Sequence, residues 1–207
     1  MLFLGLNFSV DPFSIGLIKD DKLISEFSFN GSYYITENLI QEIDEFLIKN
    51  NVSFDKIKAI GFTNGPGSYT SIRVGISVIK SISKIHNIPL YPICSLEAIA
   101  LNFKSISNIF FAFLPGRQTN LNCQVFAIKN NSISYLTPTF VWDKLVFLKK
   151  IKLFKSKIRF IGQLPSDIKE KAIEYSNINY IYSYPRGGAI AMNTCELYKN
   201  KVSFDLD

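Results

Sequence analysis

The sequence predicts an α/β protein built as two lobes. Three features lead there: strand-like segments open the chain, short apolar runs then alternate with 3.6-period segments, and the second half repeats that order in weaker form. With 207 residues, 47% hydrophobic and 19% charged, the chain has enough apolar material for two small cores and too little charge for disorder. The lobes are expected at 1–103 and 104–207.

Leu2, Leu4 and Leu6 alternate, a polar turn follows at Ser9 to Pro12, and Phe13 to Ile18 is a second strand. Asp20-Asp21-Lys22 turns the chain into a third, Leu23 to Phe29, which completes an antiparallel meander. From Thr36 to Lys49 the period changes: Leu39, Ile40, Ile43, Phe46 and Leu47 recur at three- and four-residue steps, with Thr36 as the expected N-cap. Ile57 to Thr63 suits a buried strand ending in Gly65-Pro66-Gly67. Thr70 to Ile85 alternates in part, but sixteen residues without a turn signal favour a helix. That helix carries two stripes, Ile72, Ile76 and Ile79 on one side and Val74, Val78, Ile82 and Ile85 on another. One stripe can cover a sheet; the other needs a second partner.

Pro89 to Ile93 reads as a strand and Ser95 to Leu101 as a helix capped by Ser95. A second meander is expected at 108–114, 122–128 and 132–137, with Asn130-Asn131 as a hairpin turn. Helix at 141–150, strand at 158–162, weak helix at 167–175, strand at 178–182 and helix at 189–199 complete the order.

Composition excludes several classes. The longest apolar runs, such as Ile106 to Leu114, are broken by polar residues and fall short of the roughly 18 residues a membrane span needs. Met1 to Leu6 has no basic leader, so a cytoplasmic protein without membrane contact is expected. Cys94, Cys123 and Cys195 have neither disulfide nor zinc spacing and read as reduced thiols. The net charge of +6 rests almost wholly on Lys in a chain also rich in Ile, Asn and Phe, a bias that AT-rich codons produce. The local run Lys149 to Lys157 interleaves lysines with apolar residues and reads as a solvated helix or linker edge.

The most informative string is Asn64-Gly65-Pro66-Gly67-Ser68-Tyr69-Thr70-Ser71-Ile72-Arg73-Val74-Gly75. Physically it is a tight strand-to-helix turn in which Ser68 or Thr70 caps the helix, and a Gly-rich helix start is also a potential anion site. As a whole it resembles the GPGSFTGxRxG signature of the TsaB (YeaZ-like) family, and Ser95-Leu96-Glu97-Ala98 and Tyr184-Pro185-Arg186 agree with that family. The resemblance implies an actin-like, Hsp70-like (ASKHA, ribonuclease H-like) fold of two lobes. It further implies a non-catalytic scaffold subunit of the system that forms threonylcarbamoyladenosine in tRNAs reading codons that begin with A. The implied partners are a catalytic TsaD-type paralogue, which it activates, and a TsaE-type ATPase. A homodimer is possible, tRNA is met through the complex, and no cofactor is implied.

Family members pair through helices of the first lobe, which maps here onto Leu39, Ile43, Phe46, Val74, Val78 and Ile82. The signature loop is carried by Asn64, Gly65, Pro66, Gly67, Ser68, Thr70 and Arg73. Four departures remove polar groups: Asn7-Phe8-Ser9 stands where the family has DTS, Ser71 where Gly is usual, Ile35-Thr36-Glu37 for HSE, and Pro115-Gly116-Arg117 for DAR.

Catalysis lacks its usual parts. An actin-like phosphotransferase places Asp at the end of its first strand to hold Mg²⁺, and Asn7 cannot supply that carboxylate. Asp11 is a substitute in principle, yet Asp11-Pro12 also starts a turn. The lone His86 cannot build a metal site and is expected at a helix C-terminus. Arg73 is suited to a phosphate, an interface carboxylate or the loop itself, the last two preferred. The alternative readings are a small ATP-dependent phosphotransferase or acyl transferase and a direct tRNA binder.

Overall fold

The computed structural model describes residues 1–153, 158–174 and 179–204. Two compact units divide the chain: Met1–Ala98 together with the segment from Pro185 onward, and Ile99–Tyr184.

The first unit holds a five-stranded sheet in the order β3-β2-β1-β4-β5, formed by β1 (Leu2–Asn7), β2 (Phe13–Lys19), β3 (Lys22–Phe29), β4 (Ile57–Thr63) and β5 (Leu90–Ile93). β1, β2 and β3 form the expected antiparallel meander, whereas β4 and β5 add in parallel. Parallel strands need crossovers, and α1 (Ser32–Lys49) and α2 (Tyr69–His86) supply them. Leu4, Leu6, Ile15, Ile60 and Phe62 on one sheet face pack against Leu39, Ile43, Phe46, Leu47, Ile79 and Ile82 of these helices. Side chains alternate across a strand, so Phe3, Ile18 and Ala59 point the other way. They meet Ala191 and Cys195 of α6 (Gly187–Lys199).

That contact corrects the expected boundary of the lobes. The last helix, read as part of 104–207, lies on the first sheet. The physical reason is a row of three glycines, Gly16, Gly5 and Gly61, brought side by side by strand register. A Cβ on Gly5 would stand 2.1 Å from the Gly187 carbonyl oxygen, one on Gly16 2.1 Å from the Gly188 nitrogen, and one on Gly61 1.8 Å from Thr194 Oγ1. Only a bare backbone admits the helix so close. Its first amides are held as well, Gly187 N–H by Ser14 Oγ at 2.9 Å and Gly188 N–H by Glu26 Oε1 at 2.8 Å, while Arg186 pairs with the same Glu26 carboxylate.

α1 also starts earlier than expected. Gly31, at φ 141°, turns the chain out of β3, so Thr36 lies inside the helix and not at its cap. α2 runs as expected and stops where Asn87 takes the left-handed conformation, φ 53°.

The second unit carries a six-stranded sheet, β11-β10-β6-β7-β8, with β9 also pairing β7. Its strands are β6 (Asn108–Pro115), β7 (Asn120–Lys129), β8 (Ser132–Tyr135), β9 (Phe140–Asp143), β10 (Ile158–Gly162) and β11 (Asn179–Tyr182). α3 (Ser95–Leu101) joins the units in sequence, and α4 (Lys144–Ile151) and α5 (Ser166–Glu174) belong to the second. The helix expected at 141–150 is half right. Its first residues pair with β7, and Asp143, whose carboxylate accepts the Leu145 amide at 2.8 Å, starts α4 only after them. Phe111, Phe113, Phe147 and Phe160 build the core beneath α4. Residues 175 and 178 of the expected helix and strand, and 154–157 of the lysine run, lie outside the described residues.

Candidate functional site

Parallel β1, β4 and β5 all end at one rim, so the loops that leave them converge. The signature loop is fastened there on both sides. Ser68 N–H donates to Ser9 O at 2.7 Å, Asn64 N–H to Ile93 O at 3.1 Å, and Ser95 N–H to Gly65 O at 2.7 Å. Gly65 has φ +114°, and a Cβ on Gly67 would stand 2.1 Å from Ser9 O, so the loop needs both glycines. Pro66 lies between them in a cis peptide. Ser68 caps α2, accepting the Ser71 amide at 3.4 Å, while Thr70 is exposed. Gly75 then passes the Phe8 ring, which a Cβ would approach to 2.5 Å.

Beneath the loop lies a closed polar network. Asn7 Oδ1 accepts from Ser9 N–H at 3.1 Å, Ser9 Oγ–H at 2.9 Å and Thr63 Oγ1–H at 3.1 Å. Ser95 Oγ–H donates to Ser9 Oγ at 2.8 Å, and Asn7 Nδ2 gives its two hydrogens to Val10 O and Pro12 O at 2.9 and 2.8 Å. All four residues are buried, none is charged, and every side-chain donor in the set is spent on a named acceptor. Such a network orders three loops; it holds no carboxylate to offer a cation. Thr63 and Ser95 were not singled out by sequence for this role, and only their positions at strand and helix ends hinted at it.

The remaining candidates are structural too. Asp11 Oδ1 accepts the Gly31 amide at 3.2 Å. Arg73 Nη1 donates to Tyr69 Oη at 2.8 Å, and its guanidinium lies 5.2 Å from the centre of the same ring, so it braces the first turn of its own helix. His86 is the last residue of α2, with Nδ1 2.8 Å from Asp55 Oδ1 and its ring stacked on Phe54. Among the described residues no group of three His, Cys, Asp or Glu side chains is placed to hold a metal.

The expected interface residues divide. Leu39, Ile43, Phe46 and Ile82 are buried in the core of their own unit and cannot face a partner; Val78 is half-buried against that core, and Val74 is half-buried. Periodicity identifies apolar stripes but not the side on which the sheet lies, and the sheet lies between the two, covering Ile79 of one and Ile82 of the other while Ile85 stays outside. The outward apolar groups are instead Ile40 (60% exposed), Ile48 (63%) and Ile85 (74%), with Tyr69 (72%) at the head of α2.

Fold and site together define an α/β protein of two sheet-based units whose strand-end loops are locked by uncharged hydrogen bonds. The family model of the tRNA N6-adenosine threonylcarbamoyltransferase, TsaD, matches residues 32–140. The chain belongs to that family and is TsaB- or YeaZ-like within it. The transferase of Rickettsia bellii is 29% identical over 141 residues, 60% of this chain and 41% of that protein. The chain's match thus spans less than half of the transferase's length. The tRNA threonylcarbamoyladenosine biosynthesis protein TsaB of Bacillus subtilis is 23% identical over 166 residues, 78% of this chain and 71% of the relative. In fold, YeaZ from Pseudomonas aeruginosa superposes with a TM-score of 0.76 at 13% identity, covering 97% of this chain and 93% of that one. The fold is accordingly the actin-like, ribonuclease H-like one. Among the described residues no helix is long and apolar enough to cross a membrane.

Proposed function

We propose that the chain is a non-catalytic subunit of an assembly that forms threonylcarbamoyladenosine in tRNA, and that it docks on a catalytic TsaD-type paralogue through the outer side of α1 and α2. The observation that carries this reading is the outward set Ile40, Ile48 and Ile85 on two helices whose inner stripes are already used. Each such side chain, once covered, contributes about 1.5–3 kcal/mol before the costs of association, so a few of them suffice for a specific contact. The saturated network around Asn7 supports the non-catalytic half of the reading, because the end of β1, where an actin-like phosphotransferase carries the carboxylate that holds Mg²⁺, here carries an amide, and the nearby Asp11 accepts the Gly31 amide. A TsaE-type ATPase is the second partner, and self-pairing through the same face is the expected state when the paralogue is missing.

The test uses Ile40→Asp, Ile48→Asp and Ile85→Asp, all at exposed positions. Each variant should keep the wild-type circular dichroism spectrum and bind the purified paralogue at least about tenfold more weakly, a change of about 1.4 kcal/mol. Normal binding by all three would overturn the docking surface. Ile82→Asp, in contrast, should unfold the first unit. Calorimetry with ATP and Mg²⁺ on the isolated chain should give no binding heat, and tight binding would favour the phosphotransferase alternative.

A further inference from the structure

Where the end of α6 meets the start of β5, the first unit holds a cleft that belongs neither to the loop network nor to the outer side of α1 and α2. Its volume is about 580 Å³, and Pro89, Tyr91, Tyr198 and Val202 line it together with Lys199 and Lys201. Small-molecule sites enclose about 300–1,000 Å³ and combine apolar walls with a few polar groups. Tyr91 lies on the sheet face that carries α6, in one cluster with Phe3, Ala191 and Cys195, and Tyr198 meets the Phe3 ring edge-on at 5.5 Å.

Two observations give the cleft a chemical preference. The first is the Tyr91 hydroxyl. Tyr91 is 5% exposed, yet its hydroxyl has no hydrogen-bond partner among the described residues. It is not sealed in the core either, because Asn102 Oδ1 is the only fully buried side-chain oxygen or nitrogen without a partner among those residues. The oxygen therefore opens on the cleft that its ring lines. A buried phenol is normally paired, so this one offers its hydrogen to whatever enters.

The second observation is a charge count. Asp20 accepts from the Met1 amino group, and Lys199 is engaged by Asp21 at 3.8 Å and by the Cys195 thiol. Lys201 has no ion pair among the described residues. Its backbone is fixed at φ 54° in the turn that stops α6, with Lys201 N–H donating to Tyr198 O and Val202 N–H to Leu197 O, both at 3.0 Å. One uncompensated ammonium beside two carboxylates suits a single negative charge; a dianion would also meet the repulsion of Asp20 and Asp21.

We propose that this cleft binds a small monocarboxylic acid with a flat apolar body. The body lies along Pro89, Tyr198 and Val202, Lys201 pairs with the carboxylate, and the Tyr91 hydroxyl donates to an oxygen of the ligand. None of this rests on the docking reading, since α1 and α2 do not line the cleft.

The experiment titrates the ¹⁵N-labelled full chain with phenylacetate and indole-3-acetate, following amide chemical shifts by NMR. At least one should give saturable shifts centred on Tyr91 and on residues 199–202. Against phenylacetate, 2-phenylethanol, which keeps the ring and loses the charge, should bind about tenfold or more weakly, and phenyl phosphate should bind no more tightly. Lys201→Gln and Tyr91→Phe should each weaken carboxylate binding about tenfold. In the free protein Tyr91→Phe should leave Tm unchanged or raise it, because the hydroxyl that it removes has no protein partner. Absence of saturable shifts with both acids, or shifts centred elsewhere, would overturn the proposal. Equal binding of 2-phenylethanol, tighter binding of phenyl phosphate, or wild-type affinity in either variant would do the same. A lowered Tm in free Tyr91→Phe would show a structural hydroxyl and remove the first observation.

Discussion

At the scale of single residues, Asn7 is where sequence and structure are most instructive together. The sequence marks it as a lost carboxylate; in the fold its amide is the centre of five hydrogen bonds, three accepted by Oδ1 and two donated by Nδ2. Restoring the carboxylate with Asn7→Asp would aim an anionic oxygen at the Val10 and Pro12 carbonyls, so it should cost about 1–3 kcal/mol in urea unfolding and create no ATP binding. Gly75→Ala presses a methyl group into the Phe8 ring and should cost a similar amount, about 1–3 kcal/mol, by the same measurement. The thiols separate by burial: Cys94 is half-buried, Cys195 is buried, and burial pushes the Cys123 thiol up to about 12. At pH 8 in the folded protein, iodoacetamide should therefore label Cys94 well before Cys123, as read by peptide mass spectrometry. The glycines of the signature loop were legible as turn residues, but the partners that make Gly67 and Gly75 obligatory, Ser9 and Phe8, lie about sixty residues away in sequence and are brought near only by folding.

Among the elements, local signals carried the long pieces and failed at their ends. The meander, α2 and the parallel strands follow from period and turn residues. α1 begins a turn before Thr36 because Gly31 ends the preceding strand, and β9 takes the first residues of a helix because the outer edge of β7 is there to be paired. In the first case a neighbouring glycine, and in the second a pairing strand, outweighed the local helix signal. α6 depends on the glycine row to the greatest degree. Gly5→Val should lift the helix from the sheet and cost about 3 kcal/mol or more, read as a fall of about 6 °C or more in Tm, or as insoluble protein. The cap of α4 carries a pH dependence. A hydrogen bond from the Thr119 side chain, then the Leu145 amide, hold the Asp143 carboxyl below its ordinary value. A depressed folded pKa stabilises the folded state above the unfolded value, and that contribution is lost as pH falls through the folded one. Acid titration should thus change Trp142 emission below the ordinary carboxylate range, and Asp143→Asn should remove that step.

For the whole molecule, the division of surfaces decides what the protein can do. The first unit spends its loop chemistry on itself and leaves isoleucines outside α1 and α2, which is why the docking test belongs there. Sequence by itself determined the α/β class, the two sheet-based units, the signature turn and the family, because these rest on period, turn chemistry and one contiguous string. Tertiary structure alone decided that α6 belongs to the first unit, that Leu39, Ile43, Phe46 and Ile82 are core, and that Asn7 is locked into a network. Those outcomes depend on which sheet a helix finds and which of its faces that sheet covers. Such choices arise between residues far apart in the chain, where neither period nor composition records them.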